Sequence, residues 1–263
     1  MSETKPVALA ISADRFVKGV FWGLVGCEVL LVLIHKFVDI AAFRCLVDIA
    51  SENSVANWFS STQLLFVGVL LWLIAIAVKN LSRDAPNQRK VWAWAIIAVF
   101  FTYMGVDDAT QFHEHMGGAL DGTLAAADEA GASPGAIESL YNSFPSYTWQ
   151  VLYGPFYAVM GLFVLGFVWH EVTLRSQRSL LLGGLALYVA AVALDFAGGL
   201  EGDPFEGVAD FLATTSKSVK NYTQAIEEFI EMLGTTFLLT VFLKKLLSLS
   251  ETWTIRIEAH APD

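Results

Sequence analysis

The chain has 263 residues, of which 55% are hydrophobic and only 16% charged, with a formal net charge of −10. Soluble domains carry roughly 25% charged residues, so this composition excludes an ordinary soluble domain and points to a membrane protein. The acidic balance argues against a nucleic-acid partner and leaves membrane lipid as the expected surroundings. The two cysteines, Cys27 and Cys45, form no metal or redox spacing.

Six apolar runs are long enough to cross about 30 Å of hydrocarbon, which takes about 20 helical residues. They fall at 16–38, 60–78, 91–112, 147–168, 179–200 and 223–247. The expected fold is therefore all-α, a six-helix transmembrane bundle that uses 1–263 as one integral-membrane domain. The first run is longer than the roughly 7–15 apolar residues of a secretory leader, so it is read as a retained span.

Charge sets the expected orientation. With the N-terminus inside, only Lys36, Arg44, Lys217 and Lys220 of the 16 basic residues fall outside. The opposite orientation reverses that bias, and basic residues favour the cytoplasmic side. The expectation is N-in and C-in, with 250–263 as a cytoplasmic tail. The acids sort the other way and give the outer side a negative field that attracts cations.

Between the spans, the inner connections are short and the outer ones are longer. Three outer stretches carry helix signals: "DIAAFRCLVDIA", "SPGAIESLYNSF" and "DPFEGVADFLA". They predict short interfacial helices over the outer face. Trp92, Trp94 and Trp169 near the inner border, and Trp58, Tyr147, Trp149 and Tyr222 near the outer, read as aromatic belts. Gly19/Gly23, Ala186/Ala190 and Ala193/Ala197 are small residues at a four-residue spacing that permits close helix contact. The tail at 252–258 alternates with strand periodicity and offers an edge to a possible protein partner.

The chemistry concentrates at the outer ends of the spans. Span 3 is uncharged from Val91 to Val106 and then reads "DDATQFHEH". Ionisable groups at a lipid border are functional-site candidates. At about 100° per residue, Asp107, Asp108, Gln111, Glu114 and His115 share one face, with His113 roughly opposite. The last span opens with Gln224, Glu227, Glu228 and Glu231 on one face. Span 5 brings Asp195 to the same level, and span 1 brings His35, with Glu28 about two helical turns deeper. So many carboxylates at short range must share protons or hold a cation.

Carboxylates with histidine on facing helices form the ligand sets of di-iron and di-manganese bundles, although the usual Glu-x-x-His pair is absent here. The expected ligand is a divalent metal, with Mn, Fe or Zn favoured over Ca or Mg by the histidines. Asp108, His113, Glu114, His115, Glu228 and Glu231 are the candidate metal ligands. Asp107, Gln111, Asp195 and Glu227 are expected to support them from behind, with Glu28 and His35 as a possible proton relay. "HEHMG" is not the zinc-protease HExxH, because its second histidine falls two residues on rather than four.

"ANWFSSTQLLF", "YMGVDDATQFHEHMG", "ALDFAGGLEG" and "EEFIEMLGTTFLLT" resemble a family of uncharacterised bacterial multi-pass membrane proteins. Its pattern is roughly D-[DE]-x4-H-E at the end of one span and E-E-x-x-E at the start of the last. The resemblance implies that Asp107, Asp108, His113, Glu114, Glu227, Glu228 and Glu231 belong to the shared pattern, with His115 outside it. It also implies the bacterial inner membrane as location and assigns no activity. The reading is a metal-binding membrane protein, with metal-dependent chemistry left open. The alternatives are a proton- or cation-coupled transporter and a non-catalytic subunit of a larger complex.

Overall fold

The computed structural model describes residues 12–38, 40–51, 53–81, 87–129, 139, 143–200 and 202–252. Among these residues the regular structure is all helical, with no strand. The long helices are α1 (Ala13–Phe37), α3 (Val55–Leu81), α4 (Gln88–Thr110), α5 (Phe112–Glu129), α6 (Thr148–Glu171), α7 (Arg175–Gly198) and α9 (Ser216–Ser248). A 3-10 turn at Ala41–Phe43 leads into the short α2 (Arg44–Val47), and α8 (Glu206–Phe211) is a single short piece. Side chains start three of the helices. Ser12, Asn87 and Thr215 each accept a hydrogen bond from the backbone N–H three residues on, which satisfies a donor that the helix leaves free.

Five of these helices, α1, α3, α4, α6 and α7, are long and apolar enough to cross a bilayer. The sixth expected span corresponds to α9, which has 33 residues and so is about 50 Å long. It combines glutamates in its first half with Lys244 and Lys245 near its end, and that lowers its mean apolarity. Its second half is nonetheless the most enclosed part of the fold. Leu238, Val241 and Phe242 are at most 1% exposed, and α9 packs against α1, α3 and α7.

One apolar core runs through Leu64, Val67, Leu71 and Ile74 of α3, Trp94, Ile97 and Phe101 of α4, Val164 and Val168 of α6, Leu181 of α7, and the buried face of α9. Trp94 and Phe101 meet Phe242 edge-on, at 6.3 and 5.8 Å. Near the same end, Glu171 of α6 takes Lys90 of α4 at 2.6 Å and Lys245 of α9 at 3.2 Å. Three helices are tied there by one carboxylate.

Two sequence expectations change here. Trp94 is fully buried and belongs to the core, whereas Trp92 and Trp58 keep the exposure of belt residues. The close helix contacts also fall elsewhere. Gly19 and Gly23 have open space where a Cβ would stand, and Ala186 and Ala190 are exposed. Tight approaches include Gly68 of α3 on Thr102 of α4, and Gly184 of α7 on Gly234 of α9.

Two of the three expected interfacial stretches are helical, at 41–47 and at Glu206–Phe211, and one helix is added. α5 follows α4 immediately and packs on α6, where a Cβ on Gly117 would stand 2.9 Å from the backbone nitrogen of Trp149. The capping segment at 133–138 and the strand-like tail from 253 onward lie outside the described residues.

A Cβ at Gly68 would approach Thr102 Oγ1 to 2.6 Å and its backbone to 3.2 Å. Gly68→Val is therefore expected to cost about 1–3 kcal/mol through overpacking, read as a lower melting midpoint in detergent. Gly19→Ala, by contrast, should leave the midpoint unchanged.

Candidate functional site

The site begins where α4 stops. Gln111 adopts a left-handed conformation (φ 52°, ψ 37°), with its N–H bonded to the Asp107 carbonyl. A left-handed residue closes a helix, and here it turns the chain into α5. The shared face of Asp107, Asp108, Gln111, Glu114 and His115 assumed an unbroken helix. The break at Gln111 divides that face into groups with different partners.

Asp107 is 2% exposed and turns toward α5 and α6. It accepts the His113 backbone N–H at 3.0 Å and the His113 Nδ1–H at 2.8 Å. The Tyr157 hydroxyl donates to the same carboxylate at 2.7 Å, and Tyr103 donates at 3.3 Å. Trp149 packs edge-on against the imidazole, 4.6 Å between ring centres. His113, opposite the shared face on the wheel, is thus the direct partner of Asp107. The neighbouring carboxylate, Asp108, turns to α3 and accepts the Ser61 hydroxyl at 2.6 Å.

His115 is exposed, and its Nδ1 lies 2.9 Å from the Gln111 carbonyl. Glu114 is exposed, 3.9 Å from His113 Nε2. His35 serves the turn after α2 instead. Its Nδ1 accepts the Ile49 N–H at 3.2 Å and stands 3.3 Å from Asp48.

α7 and α9 supply the opposing wall. Asp195 accepts the Gln150 amide at 2.8 Å. Glu227, Glu228 and Glu231 are each partly exposed along α9. The charges of Asp108, Glu114 and Asp195 all act on Glu228, and the same three act on Glu231. Glu227 feels Asp195, Glu231 and Glu114. Six carboxylates from α4, α5, α7 and α9 therefore share one electrostatic neighbourhood. Among the described residues, His113 and Lys220 are cationic groups that act on it. No three His, Cys, Asp or Glu side chains among the described residues stand together at metal-ligand spacing.

An open cleft of about 510 Å³ lies beside this layer, lined by Tyr103, Phe112, Met116, Leu152, Tyr153 and Phe156. It is apolar and meets the Asp107 network through Tyr103. Sequence reasoning missed Ser61, Tyr103, Tyr157 and Gln150. The signal for the serine was present: "FSSTQ" is a polar cluster inside the second apolar run.

His113 lies in α5, beyond the end of α4. Burial opposes its charge, but the Asp107 hydrogen bond and the charges of Asp107, Glu114 and Asp195 outweigh this, and the imidazole is held above its ordinary value. A histidine raised on folding stabilises the fold fully below its unfolded pKa of about 6.5, and that stabilisation is lost as pH rises through the higher folded value. His113→Gln should therefore lower the melting midpoint more at about pH 6 than in alkaline buffer. An equal loss at both would remove the ion-pair account.

Comparison with known proteins adds a family. The profile of a family described as "Domain of unknown function (DUF8692)" matches residues 20–245. No curated protein and no solved structure matches the chain.

Proposed function

The chain belongs to the DUF8692 family, and from that premise we propose that it is a six-span bacterial inner-membrane protein whose outer carboxylates bind a divalent metal cation. The observation that carries the reading is the convergence of Asp108, Asp195, Glu227, Glu228 and Glu231, joined by Glu114 beside His113, in one electrostatic neighbourhood. Like charges held together at a lipid border need neutralising, and a multivalent cation does that with the fewest particles.

Asp108, Glu228 and Glu231 are the central oxygen donors, with Glu114 and His115 at the exposed rim. His113 is already engaged by Asp107, so its remaining donor to a metal is Nε2. The ligands are not assembled at bonding distance, so binding draws carboxylate rotamers together and costs side-chain entropy. An oxygen set with one imidazole suits Mn, Fe or Zn over Ca or Mg.

A binding site fits better than a conduit. Toward the other end of the bundle, the described interior is filled by Trp94, Phe101, Phe242 and Val168. A subunit role resting on the tail at 252–258 has its support in sequence alternation alone.

Elemental analysis of purified full-length protein is expected to find stoichiometric Mn, Fe or Zn. Glu231→Gln and Asp108→Asn should each lower occupancy at least tenfold while leaving the melting midpoint of the metal-free protein unchanged. Metal-free wild type that takes up none of these ions on titration would overturn the reading.

Orientation has its own test. With the N-terminus inside, Cys45, an exposed thiol after α1, faces outward. A membrane-impermeant maleimide should label it in spheroplasts, and Cys45→Ser should abolish that labelling. Labelling of Cys45 only after the cells are broken would reverse the orientation.

A further inference from the structure

A second polar group lies away from the outer carboxylates, at the middle of α1. Glu28 is 0% exposed, and it and Val17 are the two buried residues of that helix. Gln63 of α3 and Thr236 of α9 close on it, 2% and 0% exposed. The Gln63 amide donates to Glu28 Oε1 at 2.9 Å and to Thr236 Oγ1 at 3.0 Å. The Thr236 hydroxyl in turn donates to Glu28 Oε1 at 2.6 Å.

This triangle satisfies only one of the two carboxyl oxygens. Glu28 Oε2 and Gln63 Oε1 are both buried and both without a partner. Both are acceptors when Glu28 is ionised, so neither can relieve the other. Buried polar atoms are almost always paired, and two orphaned acceptors on adjoining side chains mark a missing hydrogen or a missing cation. The groups that act on Glu28 are Gln63 from α3 and Thr236 from α9, both neutral. Thr240, one turn along α9, is taken by the Thr236 carbonyl.

We propose that Glu28 is a proton-binding site inside the bundle, carrying a hydrogen on Oε2 that it donates to Gln63 Oε1. A carboxylic acid and a primary amide then pair through two hydrogen bonds, one in each direction. A single proton satisfies both orphaned atoms and removes the charge from a buried position, whereas a metal ion would need more oxygen donors than these three side chains present. The site is independent of the outer cation site and stands if that reading fails.

The test uses full-length protein in lipid nanodiscs at neutral pH, by infrared difference spectroscopy of wild type against Glu28→Gln. A glutamine at 28 reproduces the neutral acid, donating through its amide to Gln63 Oε1. The expected difference is one protonated-carboxyl carbonyl band, present in wild type and absent from the variant, with an unchanged melting midpoint. Gln63→Leu removes the acceptor and should shift that band to higher frequency, which keeps the test intact if Glu28→Gln folds poorly. The inference is overturned if the variant loses ionised-carboxylate bands instead. It is also overturned if replacing choline by sodium raises the wild-type midpoint but not that of Glu28→Gln, since the site would then hold a cation. Metal content at the outer site should be the same in both proteins.

Discussion

An ionised carboxylate has no stable place inside this bundle unless something answers its charge, and α9 is where that constraint bears hardest. The helix enters the fold through a stretch carrying Glu227, Glu228 and Glu231 and continues into its most enclosed apolar segment. One helix must therefore satisfy two opposite requirements along its length. Its enclosed half is buried against α1, α3 and α7. Its acidic half stays partly accessible, facing Asp108 and Asp195.

The carboxylates meet the constraint in several ways. Asp107 is paired outright, by an imidazole and two phenols. Glu171, near the opposite end, is answered by two lysines from two other helices. Glu28 is wrapped in a neutral amide and a hydroxyl that leave one oxygen over. Along α9, by contrast, Glu227, Glu228 and Glu231 lie in one another's field and in that of Asp108 and Asp195. Removing charges from water is repaid only by good pairing, so the unanswered groups are where a ligand or a proton has most to gain.

The break at Gln111 decides which carboxylate belongs to which set. Had α4 continued, Asp107 and Asp108 would have pointed into one recess with Glu114 and His115. A single left-handed residue instead folds α5 back onto α6 and delivers His113 to Asp107. Asp108 is left to Ser61 and the α9 glutamates. Glutamine is an uncommon residue at positive φ, and nothing local in "DATQFHE" marks it out.

Apolar run length and composition were enough to give the all-helical, membrane-spanning character, because both depend only on counting residues against a fixed hydrocarbon thickness. They also marked the two acidic segments, since charge beside a long apolar run is visible in one dimension. Residues 223–247 read as a span in the sequence, but the central place of α9 was not legible, because it rests on the three helices packed against it. Nor were the contacts of Gly68 and Gly184, the burial of Trp94, or the meeting of Glu28 with Gln63 and Thr236. Those depend on which helix faces which, and residues 35 and 208 positions apart in sequence become neighbours only through packing. Periodicity tells a side chain which way to point on its own helix; only the assembled bundle supplies what it points at.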